Sequence, residues 1–139
     1  MPDAPDLFSE AIELAEGGLL DDALALFQTL LKTDSNNATI WNNIGIIRFR
    51  QGEYRDAVNA FGQATDTDPE FTNAWFNKSL ALVNLEKDTE ALRALDKVIK
   101  LNPRDKEAQS QRVLIVRKMV KVGDTGKGDS HSAQSQLRV

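Results

Sequence analysis

Apolar residues recur at helical spacing from Leu7 onward, in short bursts divided by turn-forming residues. Leu7, Phe8, Ala11, Ile12, Leu14 and Ala15 predict a first helix over 5–16, with Pro5 in its opening turn, where a missing N–H is no loss. Gly17-Gly18 break that helix, because glycine tolerates the turn and weakens a helix interior. Ala23, Leu24, Leu26, Phe27, Leu30 and Leu31 predict a second helix to about Thr33, with Asp21 and Asp22 at its positive end. The polar cluster 34–37 reads as a turn and cap. The same course then repeats: helices over 38–51 and 54–67, parted by Gly52 and stopped at Asp68-Pro69, then helices over 72–85 and 88–101, stopped at Asn102-Pro103. Glu86 stands where the earlier units have Gly18 and Gly52, which predicts a different turn there. A seventh helix is expected over 105–122.

The recurrence has a fixed period of 34 residues. Shifting 38–71 forward brings Trp41 onto Trp75, Ala57 onto Ala91, Phe61 onto Leu95 and Pro69 onto Pro103 without a gap. Shifted back, the register holds more weakly at Leu7, Ala11, Ala23, Phe27 and Ser35. Such a period marks stacked helix-turn-helix units. The landmarks Trp-x3-Gly, then Gly, Ala, Phe and Pro resemble the tetratricopeptide repeat, with units 4–37, 38–71 and 72–105. The resemblance implies an all-α fold, a right-handed superhelical α-solenoid with three helix-turn-helix repeats and a capping helix at 106–122, so that the repeat domain spans 4–122. Short helices of this kind persist by burying their faces on neighbours. Small residues at Ala11, Gly45 and Ser79, and at Ala23, Ala57 and Ala91, let paired helices approach, while Phe27, Phe61, Leu95, Trp41 and Trp75 fill the space between.

Composition adds boundaries. No cysteine is present and the single histidine, His131, falls in a glycine-, serine- and glutamine-rich stretch, 123–139, expected to be disordered. Thiolate metal sites and histidine-based catalysis are therefore not expected, and no phosphate-binding glycine motif occurs; the chain reads as a non-enzyme without cofactor or metal. The acidic opening lacks a basic and apolar leader, and no apolar run reaches the ~18–20 residues of a membrane span, so a cytoplasmic, membrane-free protein is expected. The net charge of −4 is uneven: 4–37 carries seven acidic groups against one basic, and 106–122 five basic against one acidic. That asymmetry steers encounters. Arg112, Arg117, Lys118 and Lys121 cluster on the last helix, yet an acidic domain argues against nucleic acid as a partner.

In tetratricopeptide arrays the first helix of each repeat lines a concave groove that takes an extended peptide or a helix of another protein. Mapped by that resemblance, the groove rows are Phe8, Ser9, Ile12 and Glu16; then Asn42, Asn43, Ile46, Phe49 and Arg50; then Asn73, Phe76, Asn77, Leu80, Val83 and Asn84. Apolar positions alternate with asparagines, whose amides offer donors and an acceptor to any main chain. Chaperone adaptors of the family grip a partner's C-terminal carboxylate with a clamp of lysines, an arginine and asparagines. At the matching places this chain has Phe8, Ile12, Asn43, Asn73 and Asn77, of which only Asn43 fits, so no recognition of acidic chaperone tails is expected. A second expectation is self-assembly, since Val113, Leu114, Ile115, Val116, Met119 and Val120 give the last helix more apolar girth than a cap needs. That face, or end-to-end stacking of the acidic first repeat on the basic last one, would make the chain a homo-oligomer.

Overall fold

The structure is a computed structural model and describes residues 6–121 and 137–139. Among them are seven α-helices: α1 Leu7–Glu16, α2 Leu20–Thr33, α3 Ala38–Arg50, α4 Tyr54–Thr67, α5 Thr72–Asn84, α6 Asp88–Leu101 and α7 Lys106–Lys121. Each packs mainly on its sequence neighbours, and α3 also touches α5. This is the one-dimensional packing of an all-α solenoid, in which stability is summed over adjacent units. No described helix is long and apolar enough to cross a membrane.

Helix α1 starts at Leu7, two residues later than the sequence suggests, because Asp6 caps it: its carboxylate accepts from the Phe8 and Ser9 N–H groups and the Ser9 hydroxyl. Pro5 lies outside the described residues. Asn37 caps α3 through the Ile40 N–H, and Asp105 caps what becomes α7 through the Ala108 N–H.

The 34-residue period is visible in single bonds. Trp41 Nε1 donates to the Ser35 carbonyl at 3.1 Å, Trp75 Nε1 to Pro69 at 2.8 Å, and Gln109 Nε2 to Pro103 at 2.6 Å. Gln109 thus does the work of a third tryptophan, and α7 sits where a fourth repeat would open. The turns within repeats are alike as well. Gly18 and Gly52 adopt φ of 83° and 79°, and Glu86 adopts 60°. In each, the N–H of the left-handed residue returns to the carbonyl three positions back, and the next N–H to the one five back. The distinct turn expected at Glu86 is therefore not found: closing bonds hold a glutamate where glycine costs least.

Two apolar clusters meet in the middle repeat. One joins Ala11, Ala23, Phe27, Ile40, Ile44, Ile47 and Ala60, and the other runs from Ile46, Phe49 and Phe61 through Phe76, Leu80, Leu95 and Val98 to Ile115. Helix α3 is shared by both, so it is buried almost all round, Asn42 and Asn43 included. Arg48, set among these aliphatics, is half-buried and reaches Gln51 Oε1 at 3.4 Å. At the far end α7 has no following helix. Ala108 and Ile115 are buried on α6, while Val113, Leu114, Val116, Met119 and Val120 stay exposed.

Candidate functional site

The asparagines divide by what they bond. Asn43 Nδ2 donates to the Thr39 carbonyl at 2.9 Å and Asn84 Nδ2 to Leu80 at 2.8 Å, each one turn back on its own helix. Their amides are committed to α3 and α5. Asn42 and Asn77 are fully buried and joined, Nδ2 of Asn77 to Oδ1 of Asn42 at 3.0 Å. Their remaining capacity, together with Asn73, is directed at residues 137–139 of the same chain. Disorder was expected across 123–139; residues 122–136 lie outside the described residues, but Leu137–Val139 is seated against α3, α5 and α7.

The seating is built on the main chain. Asn77 Oδ1 accepts from the Arg138 N–H at 2.6 Å, and Asn77 Nδ2 donates to the Arg138 carbonyl at 2.5 Å. Asn42 Nδ2 donates to that carbonyl at 3.1 Å, and Asn73 Nδ2 to the main-chain oxygen of Val139 at 3.0 Å. One amide therefore holds both polar groups of a residue's backbone, whatever its side chain. Leu137 packs on the apolar cluster that contains Phe76 and Leu80, and Val139 is largely exposed.

The Arg138 side chain is held separately. Its guanidinium carbon lies 3.6 Å from the centroid of the Phe76 ring, a cation–π contact. Nη1 and Nη2 fork onto the two oxygens of Asp105 at 2.8 and 3.0 Å, and Nη2 also reaches Glu107 Oε2 at 3.0 Å. Arg138 and Asp105 side chains are only 18% and 9% exposed, so this pair is not an ordinary solvated surface bridge. The Arg138 hydrogen bond holds the Asp105 carboxyl below the usual carboxylate range, against the opposing effect of burial, and the Ala108 N–H assists. Burial by itself would lower the Arg138 guanidinium, but the bonds to Asp105 and Glu107 outweigh it and raise it.

A pH dependence follows from the sign of the Asp105 shift. A carboxyl with a depressed value contributes its interaction fully above its ordinary value and loses it as pH falls through the depressed one. Seating of 137–139 is expected to be constant from about pH 8 to pH 5 and to loosen only below about pH 4. Amide shifts of Arg138 and Asn77 followed by NMR would check this, and release already at about pH 6 would refute it.

The other mapped groove positions are placed differently. Ile46, Phe49 and Leu80 are buried in the core; Phe49 stacks edge-on with Tyr54 at 5.1 Å and is a packing residue, not a groove wall. Phe8 stacks on Phe27 at 5.8 Å and, with half-buried Ile12, closes the first core cluster. Arg50 is exposed and reaches the Ala15 carbonyl at 3.5 Å. The sequence reading passed over Asp105 and Glu107. The signal was present: Glu107 is 34 residues beyond Asn73, so the groove rows continue onto α7.

Residues 8–54 and 42–106 match the profile of the tetratricopeptide repeat. The chain belongs to that family. Superkiller protein 3 of Saccharomyces cerevisiae is 32% identical over 123 residues, which cover 87% of this chain and 8% of the relative. The chain thus spans well under a tenth of that relative's length. The Sgt2 tetratricopeptide domain from Aspergillus fumigatus superposes with a TM-score of 0.80 at 19% identity, covering 98% of this chain and 95% of its own. The first such domain of Spaghetti (RPAP3), solved with the HSP90 peptide SRMEEVD, superposes with a TM-score of 0.79 at 21% identity, over 82% of this chain and 90% of its own. At such identities the likeness is one of fold.

Proposed function

We propose that this chain is a non-enzymatic adaptor whose groove over α3, α5 and α7 binds an extended segment of another protein through its main chain. The observation that carries this reading is the Asn42–Asn77–Asn73 row, with two amides buried and their capacity beyond the Asn42–Asn77 bond spent on the main chain of an extended segment. An extended guest fits better than a helical one. Asn77 takes the N–H and the carbonyl of one residue together, and in a helix interior both groups are already spent. That Spaghetti (RPAP3), with the same fold, was solved with a peptide supports a peptide-sized guest here.

The test is capture of partners from source lysate by wild type and by Asn77→Asp. This change keeps size, removes the amide donor and sets a carboxylate against the guest carbonyl. Capture of the same partner should fall at least tenfold, with the fold of the variant checked by circular dichroism, since the new carboxylate also faces Asn42 Oδ1. Asn73→Glu, on a half-buried residue, serves as a second variant should Asn77→Asp lose its fold. Undiminished capture by both folded variants would rule the groove out.

The exposed apolar side of α7 favours a second reading, self-association of copies through the end that lacks a following helix. A mass that rises with concentration by light scattering, and that Val113→Lys/Val120→Lys holds at the monomer, would establish it.

A further inference from the structure

The pair of carboxylates at the start of α7, the Phe76 ring and the Asn77 amide make up more than a general peptide groove. We propose that they form an arginine-selective pocket, that residues 137–139 of the chain fill it in cis, and that a partner segment must present an aliphatic residue followed by arginine to displace them. The inference rests on the groove reading above and gives its guest a chemical class.

Selectivity comes from geometry. Asp105 offers two oxygens to two guanidinium nitrogens, a planar match that a lysine ammonium cannot make. Glu107 adds a third acceptor on the open side. The flat guanidinium also covers the Phe76 face, which an ammonium fills poorly. One position earlier, Leu137 rests on apolar surface, so an aliphatic residue is favoured there. One position later, Val139 is mostly exposed and exerts little selection. An acidic guest would set its carboxylates against Asp105 and Glu107, which agrees with the absence of a basic clamp from this chain.

Self-occupancy follows from connection. Residues 122–136 join α7 to the seated segment, and tethering of this kind supplies an effective concentration on the order of millimolar. A contact that is weak between separate molecules is largely formed in cis at that concentration. It then competes with every incoming segment, so the groove answers only to guests that bind better than Leu-Arg-Val.

The experiment uses the full chain and a fluorescent peptide, acetylated and amidated, of sequence Ser-Gln-Leu-Arg-Val. Anisotropy is read on wild type, on Leu137→Ser/Arg138→Ala, and on that variant carrying Asp105→Asn/Glu107→Gln as well; asparagine still caps α7. Saturable binding to Leu137→Ser/Arg138→Ala is expected, at least tenfold weaker to wild type, and at least tenfold weaker when the two carboxylates are neutralised. A peptide with lysine for arginine should lose at least tenfold, and one with glutamate should not bind. Equal affinity for wild type and Leu137→Ser/Arg138→Ala would overturn occupancy in cis. So would a wild-type mass that rises with concentration and stays fixed in Arg138→Ala, since the segment would then be seated in a second copy. Indifference to the carboxylates, or to lysine for arginine, would overturn the pocket and leave the groove reading to its own capture test. No binding to Leu137→Ser/Arg138→Ala at all would overturn the whole inference.

Discussion

Phe61→Ala is expected to cost about 3–5 kcal/mol of folding free energy, from a total of about 5–15 for a domain of this kind. The ring is fully buried and belongs to the cluster that ties α3 and α4 to α5 and α6. In a linear array a void in the middle repeat weakens both neighbours together, because the described helices pack mainly on their sequence neighbours. Phe27 and Leu95, one period away on either side, are equally buried but stand nearer the ends. A urea titration followed by circular dichroism should show the midpoint falling with the slope retained. An unchanged midpoint would contradict the packing described for α3 and α4. Trp41, only half-buried, should cost less than Phe61 on truncation, although sequence landmarks give the two equal standing.

Gly45→Ala is the second large effect expected, and its sign opposes helix propensity. Alanine is favoured over glycine in a helix by about 1 kcal/mol. Here an added Cβ would lie 2.4 Å, 2.5 Å and 2.9 Å from Cε1, Cδ1 and Cζ of the Phe61 ring. A fully buried ring wedged between helices cannot retreat, so α3 and α4 must separate, at a cost of about 1–3 kcal/mol or more. The diagnostic is a double-mutant cycle with Phe61→Leu. The smaller side chain makes room for the methyl, so the pair should be less damaging than the sum of the single changes, by about 1 kcal/mol or more. Additive costs would mean that the two residues do not share the contact.

Ser79 stands one period after Gly45 and shows why the glycine is not simply a small residue. Its hydroxyl bonds the Phe76 carbonyl at 2.6 Å and its Cβ is accommodated, because the facing residue on α6 is Leu95. One period further, Val113 is exposed, since no helix follows α7. The same position in the period thus meets an aromatic ring, an aliphatic chain or solvent, according to what faces it.

The sequence by itself determined the helices, their pairing and their order. A 34-residue period in apolar and small residues can be satisfied only by equivalent units stacking in line, and local signals at Gly18, Gly52, Pro69 and Pro103 mark where each helix ends. The family resemblance put the groove rows on α1, α3 and α5, whereas the segment 137–139 is seated over α3, α5 and the start of α7. Only the tertiary structure decided how each groove residue is used. Asn43 and Asn77 occupy the same place in successive repeats, yet one bonds its own helix and the other a backbone 61 residues away. Phe49 turned inward against Tyr54, while Phe76 turned a face to Arg138. The seat of Leu137–Val139 was not legible either, because three residues carry no periodicity. Their place is set by a long-range match of amide, ring and paired carboxylates that exists only once α3, α5 and α7 stand side by side.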